Sequence, residues 1–307
     1  MHIRMQEADS DAQLSVVTWN AALVGRALDD RGTSAIKFLE ARGCHVITLD
    51  YDPDTFELSV DDNKVGADNL EDYMDRFQGM SLVLECTTLG FVETFLCCRA
   101  LLNKGCPRLS FLYVEPLSYT LRDATFRRSQ LLHKRHFELS NEVPGYKAIP
   151  GATLIMTDRM PQRTVFFLGY EERRLDRALE DHQLIQPKAC SVVFGVPAFR
   201  PGWEMDAFAN NIRVIKERNL RGGVYFCGAE NPASVLEVLN RIASELAPSE
   251  RLFVGPIGTK PMGIGVALFA SQRQDVAILY DHPRRRSKRS IQVASWHLYD
   301  VEFQGPP

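Results

Sequence analysis

Glycine, threonine and lysine stand in succession at Gly258-Thr259-Lys260, between an apolar run at 252–254 and a small-residue amphipathic segment at 265–270. That order reads as strand, tight loop, helix. A loop that ends at a helix N-terminus presents unpaired N–H groups and the positive end of the helix dipole. Thr259 and Lys260 add a hydroxyl and a mobile ammonium, so the chemistry is recognition of an anionic or phosphorylated ligand. Nucleotide hydrolysis of the P-loop kind is excluded, because the spacing from Gly255 or Gly258 to Lys260 is wrong and Pro261 stands where that motif has Ser or Thr.

An earlier stretch echoes this one. Leu82-Val83-Leu84 leads through Glu85-Cys86-Thr87-Thr88-Leu89-Gly90 and a helical segment to Phe111-Leu112-Tyr113-Val114-Glu115-Pro116. The later copy closes with Ile278-Leu279-Tyr280-Asp281-His282-Pro283. Both run strand, polar loop, helix, strand, and both end on an apolar-Leu-Tyr run with Pro after two further residues. The pair reads as a duplicated βαβ unit.

The elements that must position these loops alternate along the chain. Strands are expected at 15–19, 45–50 and 82–84 with helices at 33–42 and 70–77, which is how a doubly wound α/β sheet is written. The charge-rich segment 117–151 breaks the rhythm and is expected to be a connector, dividing an N-terminal lobe, 1–150, from a C-terminal lobe, 151–307. Alternation resumes with strands at 164–168, 191–194, 224–226, 252–254 and 276–280 and helices near 175–181, 204–218 and 232–246. Residues 1–10 read as a polar leader, and the weakly alternating tail 293–303, carrying Trp296 and Tyr299, as an edge strand. The expected fold is α/β with two Rossmann-like, mostly parallel halves, and the echo points to an internal duplication.

In open parallel sheets, ligands bind where the loops at the carboxyl ends of strands converge. The expected ligand-binding residues are therefore Gly258, Thr259, Lys260, Gly228, Glu230, Asn231, Gly169 and Glu171, with Arg284 from the basic run 284–289 and Thr87 and Thr88 from the echo loop. Candidate acid/base groups are Glu85, Glu115, Glu171, Glu230, Asp281 and His282, but no spacing pairs any two of them and no G-x-S-x-G elbow occurs, so no reaction is assigned. Cys86 reads as a packed thiol. Three readings follow: a binder of a phosphorylated nucleotide-type ligand; an enzyme acting on a phosphorylated nucleoside or sugar; and a silent scaffold whose Tyr170, Phe199 and Trp203 form an exposed patch.

Composition narrows the field. With 307 residues, 45% of them hydrophobic, the chain can bury a large core, and a net charge of −3 argues against gripping duplex DNA by overall charge. Seven cysteines, odd in number and without a CxxC pair, read as reduced thiols of a cytoplasmic protein. The seven histidines lack metal-ligand spacing, so neither metal nor cofactor is expected. No uncharged apolar run reaches the roughly 18–20 residues a membrane span needs.

At Gly255-Pro256-Ile257-Gly258-Thr259-Lys260-Pro261-Met262, followed by a helix of small and apolar residues, the sequence resembles the Gly-Thr-Lys ligand loop of the CARF superfamily. These are Rossmann-like sensors of prokaryotic antiviral defence. The resemblance implies a homodimer that binds a cyclic oligonucleotide across its axis, with Thr259 and Lys260 near phosphates. It covers the C-terminal half, and Pro256 and Pro261 depart from the double-glycine form of that loop. It also implies an effector in the N-terminal half or on a separate protein.

Overall fold

The computed structural model describes residues 1–15, 18–61, 63–121, 135, 137, 139–157 and 161–303. Val16 and Val17 of the first expected strand and residues 122–134, 136 and 138 of the expected connector lie outside that set. In chain order the first elements are β1 (His2–Ala8), β2 (Ala21–Val24), α1 (Asp30–Ala41), β3 (His45–Asp52), β4 (Glu57–Val60), β5 (Asn63–Gly66), α2 (Leu70–Met74), β6 (Leu82–Glu85), α3 (Phe91–Asn103) and β7 (Arg108–Tyr119). Then come β8 (Ser140–Glu142), β9 (Gln162–Leu168), α4 (Glu172–Asp181), β10 (Cys190–Gly195), α5 (Trp203–Glu217), β11 (Gly223–Cys227) and α6 (Pro232–Ser244). The chain ends with β12 (Arg251–Ile257), α7 (Lys260–Ser271), β13 (Val276–Ile278), β14 (Arg284–Arg285) and β15 (Ser290–Glu302).

The protein has two compact units, Met1–Tyr119 with Ser287–Pro307, and Thr120–Arg286. This division departs from the expected one at 150/151, and the reason lies in the tail. β15 is not an edge strand: it sits between β1 and β7 and pairs antiparallel with both, which returns it to the first unit. The expected polar leader is itself the edge strand β1. Its row of alternate, mostly polar residues suits a half-solvated strand, which lacks the apolar signal of a buried one. The first interior strand is β2, further along than the expected 15–19.

In the first unit the order is β1-β15-β7-β6-β2-β3-β4-β5. Its four central strands, β7, β6, β2 and β3, are parallel, and antiparallel strands extend them on both sides. The second unit holds a five-stranded sheet, β11-β10-β9-β12-β13, parallel throughout. Counted along the chain this is the order 3-2-1-4-5 of a Rossmann-like sheet, with α4 packed beside α5 and α6 beside α7. Both echo segments are βαβ units with adjacent parallel strands, β6-α3-β7 and β12-α7-β13.

Parallel strands covered on both faces read as unbroken apolar runs, and β9, β10 and β12 are buried along almost their whole length. The helix expected to be amphipathic is instead buried nearly all round, from Pro261 to Ser271. Gly265 is the reason α6 can lie so close: a Cβ there would stand 2.6 Å from Val235 Cβ and 2.8 Å from Pro232 O. None of the seven cysteines is in a disulfide, six of them are buried, and burial pushes the Cys190 and Cys227 thiols up to about 12. Among the described residues, no helix is long and apolar enough to cross a membrane.

Gly255 on β12 lies opposite Phe166 on β9, and a Cβ there would fall 2.1 Å from Cδ1 of that fully buried ring. Gly255→Ala is expected to destabilise the protein by about 1–3 kcal/mol, the range for overpacking a filled core. Urea unfolding should show the loss as a lower midpoint at unchanged slope.

Candidate functional site

The chain of the second unit moves outward from β9 to β11, then crosses back to lay β12 on the other side of β9. The switch point therefore lies between β9 and β12, and the loops that leave these two strands are Gly169-Tyr170-Glu171 and Gly258-Thr259. They touch. A Cβ on Gly169 would be 3.1 Å from Ile257 O and 3.6 Å from Gly258 Cα, so glycine is what allows the loops to meet. Asn211 on α5 steadies the first loop by donating from Nδ2 to Gly169 O at 2.8 Å.

Thr259 is the N-cap of α7, and its hydroxyl is occupied by the protein. It accepts from Met262 N at 3.3 Å and donates to Ala229 O at 2.5 Å, tying the β12 loop to the β11 loop. Pro261 has no N–H to offer, and Gly263 N bonds back to Thr259 O at 3.0 Å. What the loop can offer an anion is thus concentrated on half-buried Lys260 and on the field of the helix.

The neighbouring expected residues have structural duties as well. Asn231 caps α6 by accepting from Ser234 N at 3.0 Å, and Gly228 N donates to Ser234 Oγ at 3.1 Å. Glu230, half-buried, stands between them. Met262 is wholly buried; its Sδ would lie 2.5 Å from a Cβ on Gly258, and its Cε 3.0 Å from one on Gly195. These glycines admit the methionine, which fills the space between the ends of β10 and β12.

A cavity of about 590 Å³ opens beside the switch point, bordered by Tyr170, Glu171, Asn210, Arg286 and the segment 140–143. Glu171 accepts from Ser140 N and Ser140 Oγ, both at 3.1 Å, which joins the loop after β9 to that segment. Tyr170 packs edge-on to Phe137 and Trp203, with ring centroids 4.8 and 6.0 Å apart. Tyr170 and Trp203 are buried, so they do not form the exposed patch expected for a scaffold. Phe137 and Asn210 carry no sequence signal, since nothing marks an isolated Phe in a charged segment or an Asn within a helix.

Arg174 braces the floor of the rim. Its Nε and Nη2 donate to the two oxygens of Asp281 at 2.7 and 2.6 Å, and Nη1 donates to Ile257 O at 3.3 Å. Burial opposes the charge on Arg174, but the Asp281 carboxylate outweighs it and holds the guanidinium above its ordinary range. Asp281 is therefore a structural counter-ion. His282 beside it adopts φ 45°, and its Nε2 lies 3.3 Å from Lys147 O.

Thr87 and Thr88 belong to the other unit, at the switch point between β2 and β6. Both are buried. Thr87 Oγ1 accepts from Val114 N at 2.9 Å, and Thr88 Oγ1 accepts from Gly25 N at 2.8 Å. Glu85, fully buried, accepts from Thr87 N and Thr88 N at 2.8 and 2.9 Å. Burial raises its pKa while these hydrogen bonds oppose the rise. Arg284 is exposed on the β8–β14 ribbon, where it donates to Glu142 at 3.3 Å. The structure thus gathers Gly169, Glu171, Gly228, Glu230, Asn231, Gly258, Thr259 and Lys260 on the loops at one end of the five-stranded sheet, while Thr87 and Thr88 belong to the first unit.

No family model matches this chain, and no curated protein is similar to it. Among solved structures it is similar to a ketoreductase domain from the bacillaene assembly line, at 12% identity and a TM-score of 0.20 over 83% of this chain. The chain spans 63% of that protein's length. A likeness of that size carries no argument about activity.

Removing one member of the Arg174–Asp281 pair strands a buried charge. Arg174→Met or Asp281→Asn alone is expected to cost about 3–5 kcal/mol, and the double variant less than the sum of the two. Chemical denaturation of the three variants forms the cycle that checks it.

Proposed function

We propose that the protein binds a phosphorylated, nucleotide-type ligand at the edge of the five-stranded sheet, with Lys260 as its charged contact. The observation that carries this is the strand order, which sets the Gly169 loop and the Gly258-Thr259-Lys260 loop on the two strands that flank the switch point. The cavity bordered by Tyr170 and Glu171 gives room for the rest of the ligand. The likeness of 255–262 to the CARF ligand loop extends the proposal to a cyclic oligonucleotide messenger, sensed by a homodimer in antiviral defence, with the effector on a separate protein. The rival reading, an enzyme acting on a phosphorylated nucleoside or sugar, is weakened because Asp281 is held by Arg174 and Glu85 by two backbone N–H groups.

For the homodimer, β11 is the favoured face. Among the described residues it is a sheet edge with no charged side chain, Val224 and Phe226 are each 53% exposed on it, and Met205 and Ile212 of α5 are exposed nearby. An uncharged strand can pair antiparallel with itself about a two-fold axis, laying Val224 of one copy opposite Phe226 of the other.

Thermal shift against nucleotides and linear and cyclic oligonucleotides, with mass spectrometry of the same mixtures, tests the ligand. Lys260→Ala should weaken binding by about 1–3 kcal/mol, the range for a charge-assisted hydrogen bond. Unchanged affinity would sink the assignment, and conversion of a ligand would make the protein an enzyme. Separately, Phe226→Lys should turn the dimer into a monomer by light scattering; a dimer that survives it uses another face.

A further inference from the structure

In the first unit, three neighbouring strands carry two carboxylates and an imidazole to one place. The β1–β15 register sets Glu7 opposite His297, and the β15–β7 register sets His297 opposite Tyr113. Residues opposite each other in an antiparallel pair share a face, and Glu115, two positions beyond Tyr113, returns to it. The β15–β7 register shifts between Val293 and Trp296, which is the row beside Glu115. Bulges of this kind redirect side chains. Glu115 Oε2 lies 3.0 Å from His297 Nε2, and one donor atom from each of Glu7, Glu115 and His297 falls within 4.8 Å of the others.

A buried Glu–His hydrogen bond can exist for packing alone, but Glu7 adds a second carboxylate to the same imidazole. Glu115 and His297 are buried, while Glu7 stands at the water side. The rings of Tyr113 and Tyr299 flank His297, with centroids 5.9 and 6.2 Å away. The buried guanidinium of this unit, Arg31, is engaged elsewhere: it donates to Asp29, to Ser290 Oγ and to Val114 O. Donors bonded at about 2.0–2.2 Å to a tetrahedral ion stand about 3.3–3.6 Å apart, so the Glu115–His297 pair at 3.0 Å opens by a few tenths of an ångström as Nε2 exchanges its hydrogen bond for the ion, and a small swing of exposed Glu7 completes the set.

We infer that Glu7, Glu115 and His297 bind a divalent first-row transition ion of the Zn²⁺ type. Imidazole with carboxylates favours such ions over Ca²⁺ and Mg²⁺, which take oxygen donors. Three protein donors leave the remaining position to water on the Glu7 side, and an ion held there clamps edge strand β1 to β7 across β15.

The test uses the full chain, untagged and stripped with chelator, titrated with Zn²⁺ alone and with Co²⁺ as a visible-absorbing probe. One ion per chain, intense Co²⁺ d–d bands and a higher Tm with Zn²⁺ are expected. Glu7→Gln, at an exposed position, should keep the circular dichroism of the parent and weaken uptake roughly tenfold or more, and Glu115→Gln should do the same or worse. No uptake at micromolar Zn²⁺, or uptake that both variants leave unchanged, overturns the site.

Discussion

A guanidinium taken out of water is costly unless an anion meets it, and at the edge of the five-stranded sheet Arg174 is met by both oxygens of Asp281. The same side chain reaches Ile257 O, and the backbone carbonyl of Arg174 accepts from Tyr146 Oη at 3.1 Å. One residue thus ties the first turn of α4 to the last residue of β12, to the segment after β13 and to residue 146. Gly258 follows Ile257 directly, so the place of Lys260 relative to Gly169 is inherited from this brace. An ion pair of this kind contributes little net stability against an apolar substitute; its effect here is to define one geometry for the rim.

The two βαβ echoes meet this physics in opposite ways. At the switch point of the first unit, the backbone N–H groups of Thr87 and Thr88 point at the Glu85 carboxylate, and a Cβ on Gly25 would sit 2.5 Å from Thr88 O. The protein supplies its own carboxyl acceptor there and closes the loop over it. The second unit carries Lys260 on its Gly258 loop. The sheets also differ around these loops, since the switch falls after two strands in one parallel set, β2 and β3, and after three in the other, β9 to β11. What the units share is the βαβ segment at the switch.

Much of the second unit was legible because its strands are buried on both faces and its helices carry regular apolar spacing; the expected strands at 164–168, 191–194, 224–226 and 252–254 fall within β9 to β12. The first unit hid its outline for the converse reason. β1 is polar and half-solvated, and only the pairing of β15 shows where the last strand belongs. At the site, position could be read but duty could not: Thr259 as a helix cap and Thr259 as a phosphate contact are the same letter in the same place. Asp281 has the letter of an acid, and only the fold sets Arg174, 107 residues earlier, against it. Glu7, Glu115 and His297 leave no spacing signature, because the sheet and not the chain makes them neighbours.

The second unit is one continuous stretch, Thr120–Arg286, whereas the first needs β15 to join β1 to β7. On a ribosome adding about 5–20 residues per second, the roughly 170 residues between the end of β7 and the start of β15 take on the order of 10–30 s. For that interval β7 has an open edge and β1 has no strand to pair with, while the second unit can complete its own sheet. The order of synthesis therefore leaves the nascent first unit with an unpaired, association-prone edge until β15 emerges.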